Sequence, residues 1–383
     1  MHGFESLLIL MVVVWGMGKI FRMISLPIIF GELLGGIIVG PMVLGVIDPG
    51  DPTIKILAEL GVFFLMLHAG LETDPKELMK GSGKAIVIGL SGLILPLVSC
   101  YFVARAFGLD STQAIFIGIA ISATSISMCV RILKDYKMQN TNVRHLILSA
   151  SIVSDIAILI AFSTMLNILE VGGFSITTFF WLLLKISFFF AVVLLGGFKV
   201  QKYINKFFKN KGFTLTLVMA LGLGLLAEFI GLHVIIGAFL AGLFIREEII
   251  DEKIFAKIED RIYGLSYSFL GPIFFTSLAF SLTVSGLLNY KGLFMALFFV
   301  AFLTKWLSTG FSAYFQKISK KDSVLTGLIM NGRGAIDLII ISIGLELSII
   351  DQDIFSVLVA LTFAITLVTI LLIKPVQWKR QNL

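Results

Sequence analysis

Charged residues are scarce in this chain. They make up 14% of its 383 residues, and apolar residues make up 58%, whereas a soluble domain typically carries about 25% charged residues. A soluble protein of this composition would have too little polar surface to cover its core. A lipid bilayer is itself apolar, so the composition predicts an all-α membrane protein with many spanning helices.

Cysteine and histidine are also scarce. The two cysteines, Cys100 and Cys129, lie in apolar stretches, and the four histidines are scattered along the chain. Neither residue type forms a metal-ligand or redox pattern, and no serine triad can be assembled at one depth. The sequence therefore predicts no cofactor and disfavours a membrane-embedded enzyme.

Basic residues outnumber acidic ones and give a net charge of +6. Nucleic acid is one class of partner for such a charge, but Lys and Arg also accumulate in the cytoplasmic loops of membrane proteins. Given the apolar composition, we expect the lipid bilayer as partner and no nucleic acid.

Apolar segments that can span a bilayer, which takes about 20 residues, recur along the whole chain. The eighth and ninth are separated only by Gly231, Leu232 and His233. The thirteen predicted spans are 4–21, 26–46, 54–71, 85–107, 112–133, 144–169, 174–198, 213–231, 233–246, 264–284, 292–315, 323–345 and 354–375.

The distribution of basic residues predicts the orientation of these spans. Of the 30 Lys and Arg residues, 24 fall in the loops after odd-numbered spans or in the C-terminal tail, and only three fall in the other loops. The positive-inside rule then puts the N-terminus outside and the C-terminus in the cytoplasm of an inner or plasma membrane. The longest break, 246–261, is predicted as a solvated connector, with a surface helix as the alternative.

Four ionisable residues lie near the middle of predicted helices. They are Asp155, Lys305, Arg333 and Asp337, and their depth follows from a rise of about 1.5 Å per residue. Ionisable residues at this depth are costly and mark functional sites. Their formal charges sum to zero, so they can neutralise one another. Lys185 is also midway along a helix, and the sequence does not identify its partner.

Small polar residues interrupt the apolar pattern in two helices. Residues 122–127 read SATSIS in the fifth predicted helix, and residues 331–334 read NGRG in the twelfth. Broken helices at matching places in two halves of a chain indicate a transporter site, although close packing of small residues explains either stretch alone. Each stretch lies in the second helix of a trio, which predicts inverted repeats with two broken, crossing helices.

Four motifs resemble those of the monovalent cation/proton antiporters, in particular the Kef/Nap-like branch. They are similar to the second, third, tenth and twelfth helices of that family and keep their order. The motifs are LPIIFGELLGGIIVGPMVLG at 26–45, GVFFLMLHAGLE at 61–72, PIFFTS at 272–277 and MNGRGAIDLIIISIG at 330–344.

The resemblance implies two domains within a single transmembrane unit. It implies a core domain of about 85–169 and 292–375, and a dimerisation or scaffold domain of about 4–71 and 213–284. A linker helix of about 174–198 would join them. It also implies a homodimer and an elevator-like movement of the core.

The resemblance further implies that Asp155 is the acid that binds the ion. Family members commonly carry Asp, Asn or Gln where this chain has Ser154. Since hard cations prefer oxygen ligands, we expect Ser154, Thr124 and Ser125 to contribute to the site, with Asp337 as the alternative ion-binding acid. The remaining residues of the predicted site, with charge-compensating or structural roles, are Lys305, Arg333, Asp337 and Asn331.

The sequence therefore predicts a secondary antiporter in which a monovalent cation and protons compete for Asp155. Sodium is favoured and potassium is the alternative cation. The competing prediction is a potassium/proton antiporter, or a channel-like potassium efflux protein of the Kef type that lacks its regulatory domain. Saturable, proton-coupled flux separates an antiporter from a channel.

Overall fold

The computed structural model describes residues 3–24, 26–73, 82–135, 142–171, 181, 184–185, 212–246 and 252–381. Within these ranges the chain is helical and contains no β-strand, as the composition predicted. The helices are α1 (Gly3–Met23), α2 (Ile28–Val39), α3 (Pro52–Glu72), α4 (Ser82–Ala106), α5 (Ser111–Ser122), α6 (Ile126–Asp135), α7 (Asn142–Val171), α8 (Gly212–Phe229), α9 (Val234–Arg246), α10 (Glu252–Leu265), α11 (Gly271–Leu278), α12 (Val284–Asn289), α13 (Lys291–Phe315), α14 (Lys320–Ile329), α15 (Ala335–Glu346) and α16 (Gln352–Gln381).

Membrane-length helices are frequent in the described ranges. Nine stretches are long and apolar enough to cross a bilayer; one of them combines α5 with α6 and another combines α10 with α11, and α2 and α9 are shorter apolar helices. The structure confirms the predicted break between the eighth and ninth spans. Helix α8 ends at Phe229, Gly231 adopts a positive φ of 84°, and α9 begins at Val234. The predicted span 174–198 lies outside the described residues apart from three positions, so the total of thirteen stays a prediction.

The chain forms two compact units. The first contains residues 1–73 and 174–283, and the second contains residues 74–173 and 284–383. The predicted core and dimerisation roles of such units, and the predicted linker helix 174–198, stay predictions.

Glycines allow close helix packing in the first unit, where α3 lies against α9. A Cβ atom at Gly70 would overlap the carbonyl oxygen of Phe239, and one at Gly242 would overlap the carbonyl oxygen of Leu67. Small residues at such positions let the backbones of membrane helices approach closely. Asp51 precedes α3 and caps its N-terminus, because its carboxylate accepts a hydrogen bond from Thr53 N–H at 2.8 Å; that bond lowers the pKa of Asp51.

The prediction of a solvated connector over 246–261 is wrong from residue 252 onward. Helix α10 begins at Glu252 and continues through a π-helical turn at Ser266–Leu270 into α11. Ile258 and Ile262 are buried, and their spacing of four residues puts them on one helix face. The charged residues between them hid this apolar stripe in the sequence.

Small residues also bring together α4, α7 and α13 in the second unit. A Cβ atom at Gly89 would lie 2.6 Å from the carbonyl oxygen of Ala150 on α7. One at Gly92 would lie 2.5 Å from the side chain of Thr309 on α13. These contacts fix the spacing of two helices, α7 and α13, that each carry a predicted mid-depth charge.

Candidate ion-binding site at two broken helices

Two helices of the second unit are interrupted where the sequence predicted that they unwind. The first interruption separates Ser122, the last residue of α5, from Ile126, the first residue of α6. The second separates Ile329, at the end of α14, from Ala335, at the start of α15. Both stretches thus leave helical structure at the predicted residues.

The two interruptions lie against each other. Ser125 N–H donates a hydrogen bond to the carbonyl oxygen of Gly332 at 3.0 Å. The hydroxyl of Thr124 donates to the carbonyl oxygen of Met330 at 3.4 Å. Each broken segment therefore satisfies backbone groups that the other exposes, as buried backbone polar groups require.

Gly334 makes this crossing possible because it has no side chain. A Cβ atom there would overlap the hydroxyl oxygen of Ser125 and lie 2.6 Å from its Cβ. We expect Gly334→Ala to lower the free energy of unfolding by about 1–3 kcal/mol, the usual cost of overpacking. Thermal unfolding of the purified protein measures this. Gly83→Ala is the control, since nothing lies within 4 Å of a Cβ atom at Gly83; equal losses for both variants would contradict the assigned contact.

Two buried basic side chains bond to the unpaired carbonyl oxygens at the C-terminal end of α5. Lys305 Nζ donates to the carbonyl oxygens of Ser122 and Ala123 at 2.5 and 2.6 Å. Arg333 Nη1 donates to the same Ala123 oxygen at 2.5 Å. The last carbonyls of a helix lack intrahelical partners and carry the negative end of its dipole. Lys305 and Arg333 thus stabilise a helix end inside the membrane.

An aspartate, Asp337, bonds to an unpaired N–H group at the N-terminus of α15. Asp337 Oδ2 accepts a hydrogen bond from Gly334 N–H at 3.2 Å. Asp337 also attracts Arg333 and Lys305 electrostatically. A carboxylate in the first turn of a helix is stabilised by the positive end of the dipole, so Asp337 caps the second broken helix.

Asp155 differs from Asp337 because it lies in the middle of the uninterrupted helix α7 and not in the first turn of a helix. Its side chain and those of Ser154 and Thr124 are fully buried. Ser154 Oγ and Thr124 Oγ1 lie 3.5 Å apart, which connects α7 to the first interruption. The charge of Asp155 acts electrostatically on Lys305. The structure therefore brings Ser154, the residue before the predicted acid, against Thr124 of the first interruption.

Ser125 and Asn331 support the local backbone. The hydroxyl of Ser125 accepts a hydrogen bond from Met128 N–H at 3.3 Å and so caps the start of α6. Asn331 Nδ2 donates to the carbonyl oxygens of Gly327 and Phe302 at 3.3 and 3.4 Å, which ties the second interruption to α13. A hydroxyl oxygen has two lone pairs, so its capping role leaves Ser125 able to coordinate an ion.

Sequence analysis did not find Thr366, on α16. Its hydroxyl oxygen accepts a hydrogen bond from Arg333 N–H at 3.2 Å. Cys129 and Ser151 also meet beside the interruptions, with Sγ and Oγ 3.4 Å apart. The available signal for Thr366 was its spacing of four residues from Thr362 in an otherwise apolar helix.

Other ionisable groups lie in the first unit, and the sequence analysis named only Lys185 among them. Lys185 has the carbonyl oxygen of Ile230 as a partner, at 3.3 Å from Nζ. Glu32 on α2 is buried, with 4% of its surface exposed. His68 is buried on α3, with Nδ1 3.8 Å from the carboxylate of Glu72. The crossing of broken helices uses none of these residues, since it lies within the second unit.

The sequence matches a protein family described as sodium/hydrogen exchanger, transmembrane, over residues 7–379. Among similar proteins is the Na⁺/H⁺-K⁺ antiporter GerN of Bacillus cereus, 30% identical over 90% of this chain and 88% of GerN. A Na⁺/H⁺ antiporter of Enterococcus hirae is 30% identical over 97% of each chain.

The fold is similar to two solved structures of the sodium proton antiporter MjNhaP1 from Methanocaldococcus jannaschii. The TM-scores are 0.71 and 0.75, at 16% and 20% sequence identity. Both matches cover 98% of this chain, and they cover 96% and 97% of the respective MjNhaP1 chains. At this level of identity the likeness concerns the fold alone.

Proposed function

The chain belongs to the sodium/hydrogen exchanger family, and from that premise we propose that it exchanges sodium for protons across the membrane by competition at Asp155. The family of cation/proton antiporters that the motifs suggested is thus confirmed. The narrower Kef-like branch stays a prediction. The relatives are named as antiporters, which are transporters and not enzymes.

Asp155 is proposed to alternate between two occupied states. Its carboxylate binds a sodium ion, with hydroxyl oxygens of Thr124, Ser154 and Ser125 as further ligands, because hard cations prefer oxygen. When a proton binds the same carboxylate, the negative charge is lost and the sodium ion leaves. Exchange follows if the site switches from one side of the membrane to the other only when a sodium ion or a proton is bound to Asp155.

One observation carries the choice of Asp155 as the acid. Lys305, Arg333 and Asp337 all bond to the ends of broken helices. Asp155 instead lies in a continuous helix, next in sequence to Ser154, whose hydroxyl lies 3.5 Å from that of Thr124. A carboxylate in the middle of a continuous helix can change its charge without undoing an end of that helix. Lys305, Arg333 and Asp337 then keep their hydrogen bonds while Asp155 changes its charge.

Proteoliposomes that hold a pH-sensitive dye test the proposed exchange. A sodium pulse should drive proton movement that saturates with sodium concentration, and a choline pulse should have no effect. Proton flux with potassium and none with sodium would make the protein a potassium/proton antiporter. Cation flux that neither saturates nor moves protons would favour a channel of the Kef type over an antiporter.

Potassium is the second candidate cation for one specific reason. The name of the Bacillus cereus relative GerN includes potassium as well as sodium. The same proteoliposome assay, with both ions present, measures whether potassium competes with sodium for the site.

The homodimer and the elevator movement are also proposals that the family resemblance supports. We propose that residues 4–71 and 213–284 form the dimer interface, and that residues 85–169 and 292–375 carry the ion. Light scattering of the protein in detergent tests the dimer, and a monomer mass would contradict it. Cross-links that join the two sets of residues should stop exchange if the elevator movement occurs.

The asymmetry of basic residues supports an external N-terminus and a cytoplasmic C-terminus. Cys100 and Cys129 are buried, so a cysteine added after Leu383 should report accessibility by itself. We expect it to resist an impermeant thiol reagent applied outside intact cells and to react after the cells are opened. Labelling in intact cells would mean that the predicted orientation is wrong.

The stoichiometry is proposed as one cation for one proton. Ser154 stands where the resembling family commonly carries Asp, Asn or Gln, so the carboxylate of Asp155 alone binds either one proton or one cation. The hydrogen bonds of Lys305 to Ser122 and Ala123 support this proposal, because Lys305 already has acceptors and would have to leave them to carry a proton. We expect an imposed membrane potential to leave proton flux in proteoliposomes unchanged. Voltage-dependent flux that Lys305→Gln removes would instead identify Lys305 as a second proton carrier.

A further inference from the structure

An apolar groove runs along the membrane-spanning part of the second unit. Its volume is about 380 Å³, and it lies between α13 and α14, with Trp306, Gly310 and Tyr314 along one side. Leu307 and Phe311 also line it, and they are 42% and 56% exposed. From residue 306 to residue 314 the groove follows α13 for about 12 Å, at about 1.5 Å per residue.

The floor of the groove is formed by close contact of the two helices. A Cβ atom at Gly327 on α14 would lie 2.5 Å from the carbonyl oxygen of Trp306. On the α13 side, a Cβ atom at Gly310 would lie 3.3 Å from the carbonyl oxygen of Ser323. The depression is therefore shaped by backbone contacts, and its form does not depend on one side-chain rotamer.

One end of the groove is positively charged. Lys320, the first residue of α14, lines that end, and Lys317 and Lys321 are exposed beside it. Asp322 is the nearby acid, and one of its oxygens accepts a hydrogen bond from the hydroxyl of Ser319 at 2.8 Å. Three lysines against one aspartate leave a net positive charge, to which the N-terminus of α14 adds the positive end of a helix dipole.

We propose that this groove is a binding site for one anionic phospholipid. An acyl chain lies along Leu307 and Phe311, and the phosphate lies at Lys320, where basic pockets between membrane helices bind acidic head groups. Tyr314, one residue before the end of α13, has a ring that suits the boundary between apolar and polar surroundings, whereas Trp306, next to the mid-depth Lys305, lies along the acyl chain. The lipid comes from the leaflet that faces the loop between α13 and α14.

The charge at the groove end favours a lipid over a second copy of this chain. A two-fold interface brings the same surface of both copies together, so two such grooves would bring two lysine clusters close to each other. A zwitterionic lipid can fill the apolar part, but it offers Lys320 no net negative charge.

Fluorescence quenching at Trp306 tests the proposal. The chain has four tryptophans, and replacement of Trp15, Trp181 and Trp378 by Phe leaves Trp306 as the only emitter. This protein is placed in phosphatidylcholine nanodiscs with increasing fractions of brominated phosphatidylglycerol or brominated phosphatidylcholine. Half-maximal quenching should need about fivefold less of the anionic lipid, which corresponds to about 1 kcal/mol, the contribution of one lysine, Lys320, near the head group.

Two matched variants locate the effect. Lys320→Gln should remove most of the difference between the two lipids, whereas Lys291→Gln, at the other end of α13 and also exposed, should preserve it. Native mass spectrometry of the chain with all four tryptophans should show the same preference, so the test does not depend on the Trp variants.

Three results would overturn the proposal. Equal quenching by both lipids would mean that the groove takes whichever lipid surrounds it. No quenching by either lipid would mean that protein covers it, such as a second copy. An equal effect of Lys320→Gln and Lys291→Gln would mean that overall charge, and not the groove, attracts the lipid.

Discussion

Asp155→Asn is expected to reduce sodium-driven proton flux to the leak of protein-free liposomes. Asparagine keeps the shape of the side chain but has no carboxylate, so it binds neither a proton nor a cation in exchange. The variant should remain folded, because a neutral side chain is easier to bury than a charged one. The measurements are dye-reported proton flux after a sodium pulse and thermal unfolding of the same preparation.

Asp337→Asn provides the matched control, since it makes the same chemical change at another buried aspartate of the second unit. Asp337 caps the N-terminus of α15, so we expect this variant to unfold at a lower temperature and to keep its half-saturating sodium concentration. The reverse pattern, with flux lost in Asp337→Asn and kept in Asp155→Asn, would identify Asp337 as the ion-binding acid.

Lys305→Met is expected to cause the largest loss of stability among single substitutions at the crossing. Lys305 is fully buried and donates two hydrogen bonds to carbonyl oxygens at the end of α5. Hydrogen bonds that involve a charged group contribute about 1.5–3 kcal/mol each, so we expect the free energy of unfolding to fall by about 3 kcal/mol or more. Unfolding of the detergent-solubilised protein measures the change.

Two further substitutions separate this role from general effects of charge. Lys291→Met removes an exposed lysine from the same helix and should leave the unfolding temperature nearly unchanged. Lys305→Gln keeps an amide that can donate to one of the two carbonyls, so its loss should be smaller than that of Lys305→Met. Similar unfolding of Lys305→Met and Lys291→Met would contradict the capping role.

The interruptions of the two helices could be predicted because their signal is local. A run such as SATSIS or NGRG stands out within an apolar span, and it is close in sequence to the residues that it unwinds. The mid-depth charges were visible for the same reason, because hydropathy alone defines their depth. By contrast, the apolar stripe of Ile258 and Ile262 was missed because neighbouring charges outweighed it in the local composition.

The partners of these groups could not be predicted, because they are distant in sequence. Lys305 donates to residues that precede it by more than 180 positions, and no sequence pattern favours carbonyls of α5 over Asp155 as its partner. The contact of Gly334 with Ser125 likewise requires the crossing of two segments. Thr366 was missed because threonines spaced three or four residues apart in an apolar helix usually bond to carbonyls of their own helix, so their spacing does not identify a partner elsewhere in the chain.

Ala123 offers one carbonyl oxygen to both Lys305 and Arg333. Residues that share a partner have effects that do not add, so the consequence of changing one depends on whether the other is still present. A substitution at either position therefore alters which later substitutions the other can tolerate. During evolution, substitutions at positions 305 and 333 can therefore accumulate only in some orders. The two residues evolve together although 28 positions separate them in the chain.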